Sequence, residues 1–218
     1  MALLEPEDWT RLQELGRAVT FPSGSVLMYE REPSDRVMIL LAGQVKTTVV
    51  DAAGHETLLS IRDPGDVLGE LASIDGQPRS ATVTALVPVH ALLISASAFR
   101  AHLETTPRVA VALLQVVARR IRESTLMSSQ LTASDTIGRL AARLVELADR
   151  YGEGTDDGVV IALPLSQEEL GAWIGASRAG LAGALKTLRE LDWIETRRRR
   201  VVVRNLDALR TRAASRLA

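Results

Sequence analysis

Hydrophobic positions between Pro107 and Leu131 recur with helical spacing and predict one long helix. Pro107 suits the first turn of a helix, where its missing N–H group costs no hydrogen bond, and no later Gly or Pro interrupts the stretch. Spacings of four and three residues along this helix define a seam of the coiled-coil type. The seam consists of Ala110, Leu114, Val117, Ile121, Ser124, Ser128 and Leu131.

The seam is apolar as far as Ile121 and turns polar at Ser124 and Ser128, with Thr125 beside it. Hydroxyl groups between two packed helices weaken the packing unless they find hydrogen-bond partners. We therefore expect either that these hydroxyl groups bond each other across a dimer, or that a polar molecule enters the seam there. A helix that simply tolerates serine is the remaining alternative.

Before the long helix, the pattern changes from helical to alternating. Residues 3–18 have the spacing of a short amphipathic helix, with Leu12 and Leu15 on its inner side. From Val19 onward, short apolar runs are separated by turn residues, which predicts an all-β barrel or roll. The predicted strands are Ser25–Tyr29, Val37–Ala42, Val45–Val50, Thr57–Ile61, Val67–Leu68, Ala81–Leu86 and His90–Ile94.

After the long helix, small polar residues at 132–135 predict a hinge. Ser134 or Asp135 can cap a following helix, Thr136–Arg150. Residues 151–157 are rich in Gly and Asp and predict an acidic turn, and Gly158–Leu163 has the pattern of a strand. We therefore expect three regions: residues 1–106, a helix and hinge at 107–134, and a second domain at 135–218.

The second domain contains the signature of a helix-turn-helix with a wing. Ser166 and Glu169 form a capping box, Gly175 permits a tight turn, and Ser177 caps the next helix. Gly171 is small where we expect the two helices to cross closely. Strands at 193–195 and 201–203 flank the basic turn, which we define as Arg197–Arg200. An ordinary helical hairpin is the alternative, but this placement of caps and glycines favours the DNA-binding motif.

The distribution of charge suggests that the two parts of the chain have different functions. Residues 1–134 carry 12 Lys and Arg against 15 Asp and Glu, a net charge of −3, whereas residues 166–218 carry 11 against 6, a net charge of +5. Such asymmetry suggests a sensing half and a half that meets an anion. The chain has no cysteine, which excludes disulfides and Cys-ligated clusters, and its three histidines are far apart. No signal peptide or membrane span is predicted, so we expect a cytoplasmic location.

The segment from Leu68 to Val83, here called the cassette, has the chemistry of an anion site. Arg79 offers a planar fork of donors for a phosphate, and Ser80 can donate one more hydrogen bond. Glu70 would repel a bare phosphate but could accept a hydrogen bond from a sugar hydroxyl. A solvated surface pair between Glu70 and Arg79 is the alternative.

The order GEL…PRSATV in the cassette closely resembles the phosphate-binding cassette of cyclic-nucleotide-binding domains. This resemblance implies that Arg79 and Ser80 hold a cyclic phosphate and that Glu70 takes the ribose 2′-hydroxyl. It also implies that backbone groups of Gly69 and Leu71 complete the cradle, with Leu59 and Ser60 lining the purine pocket. The chain departs from the family pattern at Arg31 and Ser34, where the family usually has glycine.

The resemblance extends to the family of the cyclic-AMP receptor protein and FNR, called CRP/FNR. It implies that Ser124 and Thr125 on the long helix meet the adenine amino group, one within its own subunit and one across a dimer. In the motif GASRAGLAGALKTL it implies that Ser177 and Arg178 contact bases and phosphates. Four consecutive arginines usually form a solvated face, but beside a helix-turn-helix we expect them to meet phosphates. The further expected DNA contacts are Ser166, Gln167, Lys186, Arg197, Arg198, Arg199 and Arg200. Ala179 and Gly183 stand where the family has Glu and Arg, so we expect a changed target sequence.

Together these patterns and the resemblance predict an α+β protein. We expect an N-terminal cyclic-nucleotide-binding β-roll, jelly-roll-like in form, a long dimerisation helix and a C-terminal winged helix-turn-helix. The implied function is a homodimeric transcription regulator that binds cAMP as allosteric effector, with cGMP less favoured, and binds promoter DNA and RNA polymerase. The same fold with another effector or none is the alternative, and a regulatory subunit without DNA function is a third option. We expect no enzyme activity, and no metal, haem or iron–sulfur cluster.

Overall fold

A computed structural model of the chain describes residues 4–162, 165–197 and 200–215, and for residues 127 and 129–133 it describes the backbone alone. The chain divides into two compact units, Met1–Arg122 and Glu123–Ala218, and the boundary falls inside the long helix. Within the described residues, no helix is both long enough and apolar enough to cross a membrane.

The first unit is a β-roll of two sheets with helices at one side. Its elements are α1 (Pro6–Leu15), β1 (Gly16–Phe21), β2 (Val26–Met28), β3 (Arg36–Ala42), β4 (Val45–Val50), β5 (Glu56–Arg62), β6 (Val67–Leu68), α2 (Glu70–Asp75), β7 (Thr82–Ala85), β8 (Val89–Ser95), α3 (Ala96–Thr105) and the part of α4 (Pro107–Ala133) up to Arg122. One sheet has the strand order β1-β8-β3-β6 and the other β2-β7-β4-β5. The predicted β-roll and long helix are confirmed.

Apolar side chains from both sheets meet inside the roll, and a second cluster attaches the helices to it. Met38 and Leu40 of β3 are buried with Val45 of β4 in the first cluster. In the second, Leu12 of α1 and Phe99 of α3 are buried together with Leu113 of α4. The first turns of α4 are therefore fixed to the roll by burial of apolar surface.

The prediction of a helix over residues 3–18 was wrong at its C-terminal end, because α1 stops at Leu15. The next six residues form β1, which pairs antiparallel with β8 from Gly16 opposite Ile94 to Phe21 opposite Val89. A side chain at Gly16 would lie 2.8 Å from a methyl carbon of Leu92, so this pairing needs a small residue. Long-range strand pairing overrides the local helical spacing here.

On α4, the predicted seam lies on the exposed side of the helix. The side chains of Leu114 and Ile121 are 66% and 61% exposed, and Val111 is 53% exposed beside them. Ser124 and Ser128 are also exposed. Leu131 is one of the residues described by backbone alone.

The second unit is a small helical domain with an antiparallel sheet. Its elements are α5 (Thr136–Tyr151), β9 (Gly152–Thr155), β10 (Gly158–Ile161), α6 (Gln167–Trp173), α7 (Arg178–Glu190), β11 (Ile194–Arg197), β12 (Arg200–Val203) and α8 (Leu206–Ala214). The sheet has the strand order β11-β12-β10-β9. Asp135 caps α5 by accepting a hydrogen bond from the Gly138 N–H at 2.8 Å, as one of the two predicted caps.

Residues 151–157 are more ordered than the predicted acidic turn. They end α5 and form β9, which pairs with β10 in a tight hairpin, so only residues 156–157 turn. A Cβ at Gly152 would lie 2.3 Å from the Ala148 carbonyl oxygen, which explains the glycine where the helix passes into the strand. The helix α8, which packs on α5, had no counterpart in the sequence-based prediction.

Candidate functional site

The cassette begins at Gly69, between the end of β6 and the start of α2. Gly69 has φ +77°, in the left-handed region that favours glycine. A Cβ at this position would lie 2.0 Å from Nη1 of Arg79. Glycine is therefore required here twice, for the backbone conformation and for the close approach of the Arg79 guanidinium.

Arg79 reaches back under the start of α2 and is almost fully buried, with 4% of its side chain exposed. Its Nη1 donates to the Gly69 carbonyl oxygen at 3.0 Å, and its Nη2 donates to the Arg36 carbonyl oxygen at 2.5 Å. The carboxylate of Asp35 lies 3.9 Å from Nη2, at the long end of an ion pair. Burial lowers the pKa of Arg79, and the nearby charge of Arg36 lowers it further.

This environment leaves the positive charge of Arg79 poorly neutralised. Carbonyl oxygens accept its N–H groups without cancelling its charge, and the Asp35 side chain is 70% exposed. Burial and the charge of Arg36 lower the pKa of Arg79 by more than the nearby carboxylates, with Asp35 first among them, raise it. A guanidinium has five N–H donors, so two bonds to carbonyl groups leave donors for another acceptor. Because a buried charge is costly unless it is paired, an anion placed at this position would stabilise the cassette.

Glu70, the first residue of α2, does not form the solvated pair with Arg79 that was the alternative. Its side chain is 5% exposed, and its Oε1 accepts a hydrogen bond from Nη1 of Arg120 at 2.5 Å. Both Glu70 and Arg79 are buried, so the surface-pair interpretation was wrong.

Arg120 is a site residue that the sequence analysis missed. Besides Glu70, its guanidinium contacts Oδ1 of Asp66 at 3.2 Å and donates to the Val67 carbonyl oxygen at 2.8 Å. Its Nε is buried and has no hydrogen-bond partner among the described residues. Arg120 lies on α4, so this network ties the long helix to the strand and helix that form the cassette.

The other predicted nucleotide contacts lie in less constrained positions. Ser80 is exposed next to Arg79, and Leu71 and Leu59 are 43% and 41% exposed. The Ser60 hydroxyl lies 2.7 Å from Oγ1 of Thr47 on the neighbouring strand. Ser124 and Thr125 are both exposed on α4.

Arg31 stands where the family usually has glycine. The turn at this position nevertheless keeps the left-handed backbone conformation that favours glycine. Arg31 has φ +67°, one of two non-glycine residues with a positive φ in the described chain. Its N–H donates to the Arg79 carbonyl oxygen at 2.8 Å, and the Arg79 N–H donates to the Glu32 carbonyl oxygen at 2.9 Å. The turn is therefore preserved by main-chain pairing with the cassette, despite the departure in sequence.

In the second unit, α6 and α7 form the predicted helix-turn-helix. The Ser166 hydroxyl accepts from the Glu169 N–H at 3.1 Å, and the Glu169 carboxylate accepts from the Ser166 N–H at 2.6 Å, which completes the capping box. Ser177 caps α7 by accepting from the Gly180 N–H at 3.1 Å. Gly175 in the turn has φ +60°.

Arg139 of α5 holds this turn and was also missed by the sequence analysis. Its Nε donates to the Ile174 carbonyl oxygen at 2.7 Å, and its Nη1 donates to the Ser134 carbonyl oxygen at 2.6 Å. These carbonyl groups lie at the end of α6 and before α5, where the helices leave them without helical partners. One side chain thus joins the start of α5 to the turn between α6 and α7.

The face of α7 opposite its buried leucines carries small side chains in its middle and charged side chains only at its ends. Its exposed residues are Arg178, Ala179, Ala182, Gly183 and Lys186. In the part of the chain that the structure describes, nothing lies within 4 Å of a Cβ built at Gly183. Lys186 forms an exposed i,i+4 pair with Glu190 at 3.7 Å. Gln167, at the start of α6, is exposed as well. The predicted DNA contacts on these two helices therefore lie on the surface.

The basic turn is only partly as predicted. Arg200 is exposed, but Arg197 is paired with Glu195, its Nε lying 2.6 Å from Oε1. Arg198 and Arg199 lie outside the described residues. Cross-strand pairing of Arg197 with Arg200 confirms that the turn joins β11 to β12 as a wing.

Comparison with known proteins agrees with this architecture. Residues 18–106 match the family described as cyclic nucleotide-binding domain, and residues 138–212 match the Crp-like helix-turn-helix domain. The CRP-like cAMP-activated global transcriptional regulator of Mycobacterium tuberculosis is 32% identical over 210 residues, which cover 96% of this chain and 94% of that protein.

Solved structures show the same fold. A CRP/FNR family transcriptional regulator from Thermus thermophilus superposes with a TM-score of 0.79 at 25% identity, over 92% of this chain and 100% of that one. The c-di-GMP-responsive global regulator CLP of Xanthomonas campestris superposes with a TM-score of 0.83 at 19% identity, over 91% of this chain and 99% of that one.

A cyclic-nucleotide-binding β-roll followed by a winged helix-turn-helix defines a DNA-binding transcription regulator. The chain belongs to the CRP/FNR family of such regulators and is not an enzyme.

Proposed function

We propose that the protein is a homodimeric transcription regulator whose effector is cAMP. The observation that carries the proposal is the buried guanidinium of Arg79. It is held by the carbonyl oxygens of Gly69 and Arg36, and its only ion pair among the described residues is the long contact of 3.9 Å with the mostly exposed Asp35. A cyclic phosphate carries one negative charge and would supply that missing partner. Bonds between a guanidinium and a phosphate are charge-assisted and stronger than neutral ones.

The ribose is assigned to Glu70. A carboxylate accepts hydrogen bonds and cannot donate them, so it suits a 2′-hydroxyl and opposes a second phosphate. Arg120 holds Oε1 of Glu70 at 2.5 Å, which orients the carboxylate and offsets its charge near the phosphate. Ser80, next to Arg79, would donate to the phosphate, while Gly69 and Leu71 would complete the cradle with backbone groups.

Discrimination of the base is assigned to Ser124 and Thr125 of α4, with Leu59 and Ser60 contributing from the roll. Hydroxyl groups can both donate and accept, so they can pair with an adenine amino group. The exposed apolar residues Leu114 and Ile121 on the same helix support a second copy of the chain as the partner of α4. Coiled-coil packing of two such seams would bury them and bring both sets of hydroxyl groups together.

Two copies would present two α7 helices to promoter DNA. In helix-turn-helix dimers these helices enter successive major grooves, about 34 Å apart along the duplex. Ser177 and Arg178 are assigned to base edges and phosphates at the start of α7. Ser166, Gln167, Lys186 and the arginines of the basic turn other than Arg197, which is paired with Glu195, are assigned to the DNA backbone. Binding of cAMP would raise DNA affinity through a coupling free energy, which is reciprocal between the two sites. RNA polymerase is proposed as a further partner of the DNA-bound dimer.

A different effector is the second candidate. The Xanthomonas regulator with the same fold is described as c-di-GMP-responsive, so the fold alone does not select the nucleotide. The relative from Mycobacterium tuberculosis, described as cAMP-activated, supports cAMP instead, because its identity with this chain is higher.

Isothermal titration calorimetry with cAMP, cGMP and c-di-GMP tests the sensor. The Arg79→Ala variant should bind cAMP ~10- to ~100-fold more weakly, since a hydrogen bond to a charged group contributes ~1.5–3 kcal/mol. Arg17→Ala is the matched control, because Arg17 is an exposed arginine on β1 of the same roll. Undiminished cAMP affinity in Arg79→Ala would refute the cradle, and tighter binding of another nucleotide would replace cAMP.

A further inference from the structure

The wing carries a chain of alternating charges on its surface. Arg204 donates to Asp192 at 2.9 Å and to Oε2 of Glu195 at 2.8 Å. Glu195 in turn accepts from Nε and Nη2 of Arg197 at 2.6 and 3.2 Å. Arg197 also lies 3.9 Å from the carboxylate of Asp157 in the β9–β10 turn.

Glu195 is the centre of this network. It lies two residues before Arg197 on β11, and alternate residues of a strand share one face, so the two side chains meet without distortion. The bond to Arg197 is bidentate, the strongest geometry available to a guanidinium and a carboxylate. Hydrogen bonds from Arg197 and then from Arg204 lower the pKa of Glu195 to about 2, so the carboxylate is charged at neutral pH.

Both arginines are therefore already engaged with carboxylates. With three carboxylates and two guanidinium groups, the five side chains carry a formal net charge of −1. To reach DNA, Arg197 would have to exchange two hydrogen bonds with Glu195 for bonds to a phosphate. Arg200 lies opposite Arg197 on the neighbouring strand and is exposed, so it serves as a comparison on the same hairpin.

We propose that Glu195 masks Arg197 and Arg204 from DNA phosphates, so that of the two described arginines of the basic turn, Arg200 contacts phosphate and Arg197 does not. The proposal rests on DNA binding by the winged helix. Phosphate contacts supply the sequence-independent part of DNA affinity. A wing that withholds two guanidinium groups therefore lowers non-specific binding and leaves a larger share of the discrimination to α7. Glu195 is in this sense a specificity-determining residue that touches no base.

The number of phosphate contacts can be obtained from the salt dependence of DNA affinity, and this measurement tests the masking of Arg197 and Arg204. We would measure binding of the full chain to a mixed-sequence duplex of about 40 base pairs by fluorescence anisotropy, from about 50 to about 200 mM salt. Each contact contributes about 0.9 to the slope of log K against log salt, which amounts to about 3.5-fold in affinity over that range. A mixed sequence reports on phosphate contacts without the need for a known operator.

Four variants distinguish masking from direct contact. Glu195→Gln, which keeps the hydrogen-bonding shape but removes the charge, should steepen the slope by about 0.9 to about 1.8, for one or two released arginines. Arg197→Ala should leave the native slope unchanged, whereas Arg200→Ala, the matched control, should reduce it by about 0.9. Adding Arg197→Ala to Glu195→Gln should lower the raised slope by about 0.9, because Arg197 contacts phosphate only when unmasked.

The opposite results overturn the proposal. A native slope that falls with Arg197→Ala means that Arg197 contacts phosphate despite Glu195. An unchanged slope in Glu195→Gln, with a thermal unfolding midpoint equal to that of the native chain, means that no arginine was withheld. If the native chain fails to bind the duplex even at the lowest salt, DNA binding itself is contradicted, which is a separate failure from the loss of masking.

Discussion

Glu70 and Arg120 are 50 positions apart in sequence, yet Oε1 of the carboxylate lies 2.5 Å from Nη1 of the guanidinium in a nearly dry environment. Glu70 begins α2 at the cassette, and Arg120 lies on α4 in the same unit. This contact is a direct physical connection between the residues assigned to the ribose and the helix assigned to the dimer. A ligand that bonds to Glu70 would alter a charge pair that also holds α4.

We expect Arg120→Met to destabilise the protein by about 3 kcal/mol, because removing one partner of a buried ion pair leaves the other charge uncompensated. The lower end of the usual range applies, since Arg120 keeps 15% of its side chain exposed. Urea unfolding measures the change, with Arg119→Met as control at the exposed neighbouring position. The double variant Glu70→Gln with Arg120→Met should recover part of the loss. A cost equal to that of the control would show that the pair is not important for stability.

Gly69 and Gly54 make a matched pair for testing the cradle. Both have positive φ, +77° and +85°, so alanine at either should cost about 1–2 kcal/mol of backbone strain. A Cβ at Gly69 would lie 2.0 Å from Nη1 of Arg79, whereas no atom of the described residues lies within 4 Å of one at Gly54. We therefore expect both variants to lose stability and only Gly69→Ala to lose cAMP affinity in calorimetry. Equal affinities in the two variants would contradict the assignment of Arg79 to the phosphate.

Leu114→Glu should convert the proposed dimer to a monomer, because it places a charge in the middle of the apolar seam. Leu114 is 66% exposed in the single chain, so the substitution need not disturb its fold. Val50→Glu is the control, as Val50 is 42% exposed at the end of β4, away from α4. Light scattering coupled to size-exclusion chromatography gives the mass of each. A native chain that elutes as a monomer, or a Leu114→Glu variant that remains a dimer, would argue against the seam.

The sequence predicted the elements whose signals are local. Strand β4 was predicted with its observed bounds, and the caps Asp135, Ser166 and Ser177 are each confirmed by a side-chain hydrogen bond. Turn residues and caps act over three or four positions, so they can be recognised from the sequence alone.

The features that the sequence did not predict depend on contacts between residues that are far apart in the chain. The first three residues of strand β1, 16–18, were assigned to a helix because the pairing of β1 with β8 is made with residues more than 60 positions away. Arg120 and Arg139 act on a carboxylate and on carbonyl groups that no spacing rule connects to them. The cassette motif identified Arg79 and Glu70, but it could not show that Glu70 is paired to α4 rather than to Arg79.

Gly171 and Gly175 differ in whether the structure requires glycine at their positions. The sequence suggested that Gly171 allows a close helix crossing, but a Cβ there would lie 3.4 Å from the Ala176 carbonyl oxygen, an ordinary contact. Gly171→Ala should therefore stabilise α6 by up to about 1 kcal/mol. Gly175→Ala should destabilise by about 1–2 kcal/mol, since φ is +60° in the turn. Thermal unfolding of both variants tests the contrast, and a loss of stability at position 171 would restore the close-crossing interpretation.

The ion pairs of the wing should respond to acid in a direction set by Glu195. Its pKa is lowered from 4.5 to about 2 by hydrogen bonds from Arg197 and then Arg204, so the folded state holds the ionised carboxylate more strongly than the unfolded state does. The contribution to stability is then complete above about pH 4.5 and is lost as the pH falls towards 2. The difference in unfolding free energy between the native chain and Glu195→Gln should therefore shrink across this window. Urea unfolding at a series of pH values measures it, and the carboxyl carbon of Glu195, followed by NMR, should titrate near 2. A difference that stays constant from neutral pH down to 3, or a carboxyl group that titrates at its ordinary 4.5, would mean that neither arginine holds Glu195 in solution.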